Sequence, residues 1–138
     1  MESGLVLQGY YLLKPLFNEN LLYIQIRGAW KEKEMYKYAN YIDDIAEVAE
    51  KFDGPFMILA DLRNMEPVSY RVAKIHIEAQ KILLKNGLLL TGEVISKNQL
   101  VQQSAQSFSN QSGMPKKSFI SMEHALAWIS DKKQKILR

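Results

Sequence analysis

Apolar and polar residues alternate along residues 21–28, LLYIQIRG. Leu22, Ile24 and Ile26 fall on one side, and Tyr23, Gln25 and Arg27 on the other. A period of two predicts a strand with one face buried. The preceding run, residues 5–17 (LVLQGYYLLKPLF), is aromatic and aliphatic and predicts a first strand. Pro15 puts that strand at an edge or near its own end, because proline has no N–H to give a ladder. Asn18-Glu19-Asn20 between the two runs is a turn signal, so together they predict a β-hairpin.

The period then changes. Over residues 31–52, Met35, Ala39, Ile42, Ala46, Ala49 and Phe52 recur at spacings of three and four. That spacing predicts an amphipathic helix of about six turns with this stripe inward. Asp53-Gly54-Pro55 ends it. Residues 56–62, FMILADL, are an apolar run without alternation, the composition of a strand covered on both faces. Ser69 is placed to cap a second helix reaching Asn86, with Val72, Ile75, Ala79, Ile82 and Leu83 inward and Gly87 at its end. Residues 88–95, LLLTGEVI, predict another buried strand. Ser96 is expected to cap a third helix, with Leu100, Val101, Ala105 and Phe108 inward and Gly113-Met114-Pro115 as its breaker. Residues 117–120 predict a short strand. Ser121 is expected to cap a closing helix that carries Ala125, Leu126, Trp128 and Ile129. Lys132, Lys133, Lys135 and Arg138 crowd the end of that helix, where cations suit its dipole.

The predicted order is β-β-α-β-α-β-α-β-α. Strands alternating with helices require crossover connections. The expected fold is therefore α/β: a single mixed five-stranded sheet, an N-terminal β-hairpin plus parallel strands, with four helices in one domain spanning 1–138.

Composition narrows the function classes. The chain has 138 residues, 47% of them hydrophobic and 24% charged, which suffices for one folded core. It has no cysteine, which excludes disulfides, thiolate metal sites and cysteine nucleophiles. Two histidines make a histidine-rich metal site unexpected. The formal charge of +3 is too small an excess to imply nucleic acid by itself. No run approaches the roughly 18 apolar residues of a spanning helix, and the first residues lack a basic region followed by an apolar block. The expectation is a cytoplasmic protein with no integral membrane segment and no nucleic-acid partner.

The leading candidate site is the strand-end loop 61–71. In open α/β sheets ligands gather at the carboxyl ends of strands. Asp61, Arg63, Glu66, Ser69 and Arg71 are expected to converge there, with the helix N-terminus and two arginines attracting an anionic group. An ordinary loop accounts for the same residues, with Ser69 as cap and Asp61 paired to an arginine. Asp43, Glu47 and Glu50 share one helix face, which reads as solvated surface. His76 and His124 have no second ligand at metal spacing and read as structural or exposed. Tyr38 and Tyr41 read either as core packing with amphipathic rims or as a self-association patch. Lys132, Lys133 and Lys135 read as a solvated helix end rather than a membrane or RNA contact. No Gly-x-Ser-x-Gly, P-loop or Gly-x-Gly-x-x-Gly occurs, and no nucleophile–base pair stands out. No catalytic residue, metal or cofactor is expected.

Three stretches carry a resemblance to a known family. Residues 22–30, LYIQIRGAW, look like the second strand of STAS domains of the SpoIIAA-like (STAS/SEC14-like) branch, with Gly28 where the chain turns into the first helix. Residues 56–64, FMILADLRN, resemble that branch's central strand, which ends in an aspartate–leucine pair. Residues 121–129, SMEHALAWI, resemble its closing helix with an alanine–leucine–alanine–tryptophan run. The resemblance implies the same fold and a non-enzymatic regulatory or protein-interaction module. STAS domains that antagonise anti-sigma factors carry a phosphorylatable serine in an Asp-Ser-Ser-Gly turn opening the helix after the central strand. Here that segment reads Met65-Glu66-Pro67-Val68-Ser69-Tyr70-Arg71, so the motif is absent. Only Ser69 lies near the phosphosite, and Tyr70 falls at its nominal place. The alternative that the branch implies is a domain binding a small apolar ligand or lipid, as in SEC14-like folds.

Overall fold

The computed structural model describes residues 10–136. Residues 5–9 of the expected first strand, and Arg138 of the basic tail, lie outside them. Strands β1 (Tyr10–Leu16) and β2 (Leu21–Arg27) form the antiparallel hairpin, with Leu16 opposite Leu21. A short 3-10 turn, Phe17–Glu19, and Asn20 at φ 54° connect them, a conformation that asparagine tolerates better than most residues. Then follow α1 (Met35–Glu50), β3 (Phe56–Leu62), α2 (Tyr70–Lys85), β4 (Leu88–Ile95), α3 (Gln99–Ser112), β5 (Lys116–Phe119) and α4 (Met122–Ile136). The sheet order is β1-β2-β3-β4-β5, and every pairing after the hairpin is parallel. The fold is the mixed five-stranded α/β sheet with four helices that the periodicity predicts. None of the described helices is long and apolar enough to cross a membrane.

All seven residues of β3 are buried, because helices cover both its faces. Ile58, Ala60 and Leu62 share one core with Leu22, Ile24 and Ile26 and with side chains of α1, α2 and α3. Met57 and Leu59 share the other with Leu21, Val94 and, from α4, Ala125 and Ile129. The layering is thus three helices on one face and α4 alone on the other. On that second face Gly92 permits the approach of α4. A Cβ built on it would lie 2.9 Å from Ile129 Cδ1 and 3.3 Å from Trp128 Cε3.

Helix faces differ from the predicted stripes in three places. The face α1 buries is Tyr38, Tyr41, Ile45 and Ala49, while Ala39 is exposed. The tyrosines offer far more apolar area than the alanines beside them, and that area turns the helix about one residue from the expected stripe. Tyr38 and Tyr41 are therefore core residues and not a self-association patch. In α3 the cap is Asn98, whose Oδ1 accepts from Leu100 N at 2.8 Å and Val101 N at 3.2 Å; Ser96 stands two residues too early. Leu100 then points outward, whereas Val101, Ala105 and Phe108 are buried. In α4, Ala125 and Ile129 are buried and Leu126 is exposed.

A chain of rings ties the helical layer together. Tyr11 of β1 contacts Trp30 at 6.1 Å, Trp30 contacts His76 of α2 at 4.5 Å, and His76 stacks on Phe108 of α3 at 4.9 Å and 15°. Tyr38 stacks on Trp30 at 4.3 Å, and Trp30 Nε1 donates to Arg27 O at 3.2 Å. Tyr11 donates its hydroxyl to Asp44 at 2.7 Å; burial and that acceptor push its pKa up to about 12. His76 is 2% exposed, and burial pushes its pKa down to about 3, so it is neutral at physiological pH.

Two outcomes follow. G92V is expected to destabilise the protein by about 1–3 kcal/mol through overpacking. Pairing it with I129V should recover part of that loss, and denaturant unfolding of the four members of the cycle measures the coupling. His76 in the unfolded chain takes up a proton near pH 6.5 but in the fold only near pH 3. The unfolded state therefore binds more protons between these values, and stability falls as pH is lowered through that window. The whole effect is on the order of 5 kcal/mol. H76F, which keeps a ring against Phe108, should flatten the stability profile between pH 6 and about 4.

Candidate functional site

Strand β3 delivers Asp61 to the carboxyl edge of the sheet. Parity along the strand puts its side chain on the α4 face, with Met57 and Leu59 and away from Ala60 and Leu62. Arg63 folds back onto it as a fork: Nε lies 3.0 Å from Oδ1 and Nη2 2.9 Å from Oδ2. The backbone N–H of Arg63 adds a third bond to Oδ1 at 3.1 Å, and the Tyr23 hydroxyl donates to Oδ2 at 3.4 Å. Burial alone would raise the Asp61 carboxyl, but the hydrogen bonds and charge of Arg63 outweigh it and hold the group below its usual range. This carboxylate is ionised, and Arg63 and Tyr23 bond both of its oxygens. With Arg63 still 45% exposed, the ion pair contributes at most about 1 kcal/mol.

Glu66, Ser69 and Arg71 lie on the other side of the strand end. The chain beyond β2 keeps pairing there: Gly28 N donates to Asn64 O at 2.8 Å and Glu66 N to Gly28 O at 3.1 Å. Gly28 has φ 80°, which suits glycine at this turn. These bonds fix the loop that presents α2. Ser69 Oγ accepts from Val72 N at 3.2 Å and so serves as the helix cap. Arg71 reaches Glu32, at 3.9 Å, toward the segment that precedes α1. The five candidate residues thus fall into two groups, Asp61 with Arg63 on the α4 face and Glu66, Ser69 and Arg71 beside the start of α2.

What the loop and helix start do border is an open groove of about 320 Å³ between α2 and α3. Its α2 wall runs from Pro67 to Ala73 and its α3 wall from Leu100 to Gln111. No Asp, Glu, Lys, Arg or His lines it. Two large apolar side chains stand exposed in its walls, Tyr70 at 70% and Leu100 at 61%. Lys74 holds its ammonium 5.0 Å from the centre of the Tyr70 ring, a cation–π contact. Neither residue stands out in the sequence as a surface group. Leu100 fits an inward stripe, but α3 buries Val101, Ala105 and Phe108 and leaves Leu100 in its first turn on the outer side.

The remaining sequence candidates are accounted for by surface or structural contacts. Asp43, Glu47 and Glu50 are exposed on α1, with Glu47 3.7 Å from Lys51. His124 is exposed in the first turn of α4. Among the described residues, no three His, Asp or Glu side chains gather to hold a metal ion. One polar group that sequence reasoning misses is Glu93 on β4. It is buried on the helical face, with its Oε2 2.8 Å from both Lys116 Nζ and Ser118 Oγ of β5. The partners are 23 and 25 residues away, so only the β4–β5 pairing brings them together.

No family model matches the chain, and no curated protein matches it. Among solved structures, it is similar to an uncharacterized protein of the DUF3478 family from Shewanella loihica PV-4, described as having a SpoIIAA-like fold. That match has a TM-score of 0.61 at 15% identity and covers 93% of this chain and 98% of the other. Identity at this level speaks for architecture only. Strand order, hairpin, crossovers and closing helix together give this chain a SpoIIAA-like fold.

Proposed function

We propose that the chain is a non-enzymatic interaction module of the cytoplasm that docks a protein partner in the groove between α2 and α3. One observation carries this reading: Tyr70 and Leu100 stand 70% and 61% exposed in a groove that no formally charged side chain lines. Aromatic and aliphatic anchors of this kind, desolvated at the centre of a contact, supply most of the energy of a protein interface. The partner that fits is a protein segment presenting an apolar side chain flanked by uncharged hydrogen-bonding groups. Gln103, Ser104, Ser107 and Gln111 of α3 would meet those groups.

The ionisable residues support the non-catalytic part. Asp61 is held by Arg63, Glu93 by Lys116, and the Ser69 hydroxyl by the helix it caps. Of the five loop residues, Glu66, Ser69 and Arg71 would border the partner, and Asp61 with Arg63 would brace the strand end from the other face. The lipid-binding alternative is the less favoured reading. The interior cavity on the helical face is about 40 Å³, against about 300–1,000 Å³ for ordinary ligand pockets.

A photo-crosslinking residue placed at 70 or 100 is expected to give one discrete protein adduct in cells, and one placed at Leu126 on α4 to give none. Y70A/L100A should weaken capture of the crosslinked partner by about tenfold or more without lowering the melting temperature, while E123Q, exposed on α4, leaves it unchanged. Equal adducts from Leu126, or undiminished capture by the double variant, would remove the groove from the account.

A further inference from the structure

The helical face of the sheet is not completely filled. Between β3, β4, α2 and α3 lies the interior cavity of about 40 Å³. Ile58 and Phe108 contribute to its apolar wall, and His76, Gln80, Thr91 and Glu93 form a polar one. At about 10–15 Å³ for each water-sized occupant, it has room for about three.

His76 is the group that needs an occupant. It is 2% exposed, and both its ring nitrogens are buried without a hydrogen-bond partner. A neutral imidazole has one donor and one acceptor, and a buried polar group left unpaired is costly. Aromatic contacts with Trp30 and Phe108 hold the ring where it is, so it cannot turn out to water. The other polar side chains keep capacity to spare. Gln80 accepts the Ser112 hydroxyl at 2.6 Å through Oε1, which leaves its amide N–H groups out of that bond. Thr91 sends its hydroxyl to the thioether of Met114 at 3.4 Å, a weak acceptor. Glu93 takes both of its bonds on Oε2.

The same residues define the charge of the occupant. Glu93 is the ionisable acid of the cavity wall, and Lys116, itself 7% exposed at the side chain, already compensates it at 2.8 Å. An added ion would be buried with no counter-charge, which costs several kcal/mol. The walls accordingly select a neutral molecule with a donor and an acceptor close together and a small apolar remainder.

We propose that this cavity is a binding site for a small neutral guest of amide or alcohol type, held between His76 of α2 and Thr91 and Glu93 of β4. Water supplies the same hydrogen bonds when no such molecule is present. Phe108, the ring stacked on His76, lines both this cavity and the groove between α2 and α3. The guest therefore sits one ring away from the docking surface, although the site stands whether or not a partner uses that groove.

The test is an NMR titration of the full chain with acetamide, with xenon as an apolar probe of similar size. In the free protein, the His76 ring should show cross-peaks to long-lived water. Acetamide should shift the amides of His76, Thr91 and Phe108 saturably, and xenon should not. H76F should abolish the acetamide shifts. T91V, which keeps the shape of threonine and interprets the result should H76F fail to fold, should weaken binding about fivefold. Water cross-peaks without a saturable acetamide response would overturn the proposal, leaving only a hydrated void. Xenon binding without acetamide binding, or acetamide binding unchanged in both variants, would overturn it equally.

Discussion

The structure depends on one strand that water never reaches. All seven residues of β3 are buried, with two parallel neighbours at its edges and helices over both faces. A strand in that position cannot alternate, and FMILADL does not. Both cores meet at this strand: Ile58, Ala60 and Leu62 close the core beneath α1, α2 and α3, while Met57 and Leu59 close the core beneath α4. Each of the Met, Ile and Leu side chains among these contributes about 1.5–3 kcal/mol on burial, so β3 outweighs a single surface ion pair such as Asp61–Arg63. The short edge strand β5, by contrast, has only four residues and leans on β4 and α4.

Because β3 carries its apolar run to the sheet's carboxyl edge, the chain must turn polar abruptly there. Asp61 is the price of that turn, and Arg63 answers it within two residues. The same economy holds elsewhere. Asp44 takes the Tyr11 hydroxyl, Glu93 takes Lys116, and Ser69 caps α2. Each of these polar groups is engaged in holding the fold. The described residues also hold a neutral groove beside α2 and α3, with its exposed tyrosine and leucine, and an interior pocket whose histidine lacks a partner. The ring stack of His76 on Phe108 links those two features physically.

The architecture was legible because each element has its own period: two in β2, none in β3 and β4, and three to four in the helices. What the period could not tell was which side chains win a shared face. On α1 the tyrosines displaced the alanines, since ring area decides the burial of an amphipathic stripe. On α3 the cap is Asn98 rather than Ser96, and Val101, Ala105 and Phe108 take the buried face instead of Leu100. The end of β3 fixes where the candidate loop begins, but a strand without alternation gives no sign of which face Asp61 takes. Its separation from Ser69 and Arg71 therefore appears only in three dimensions. Glu93 and Lys116 were illegible for another reason, since register between β4 and β5 is a long-range property.

Native-state hydrogen exchange measures the central dependence most directly. If β3 anchors both cores, its amides from Met57 to Leu62 should exchange only through global unfolding and share the highest protection in the protein. The edges β1 and β5 should open at lower free energy. Protection in β3 below that of either edge strand, or loss of it while α2 and α4 stay protected, would contradict the account.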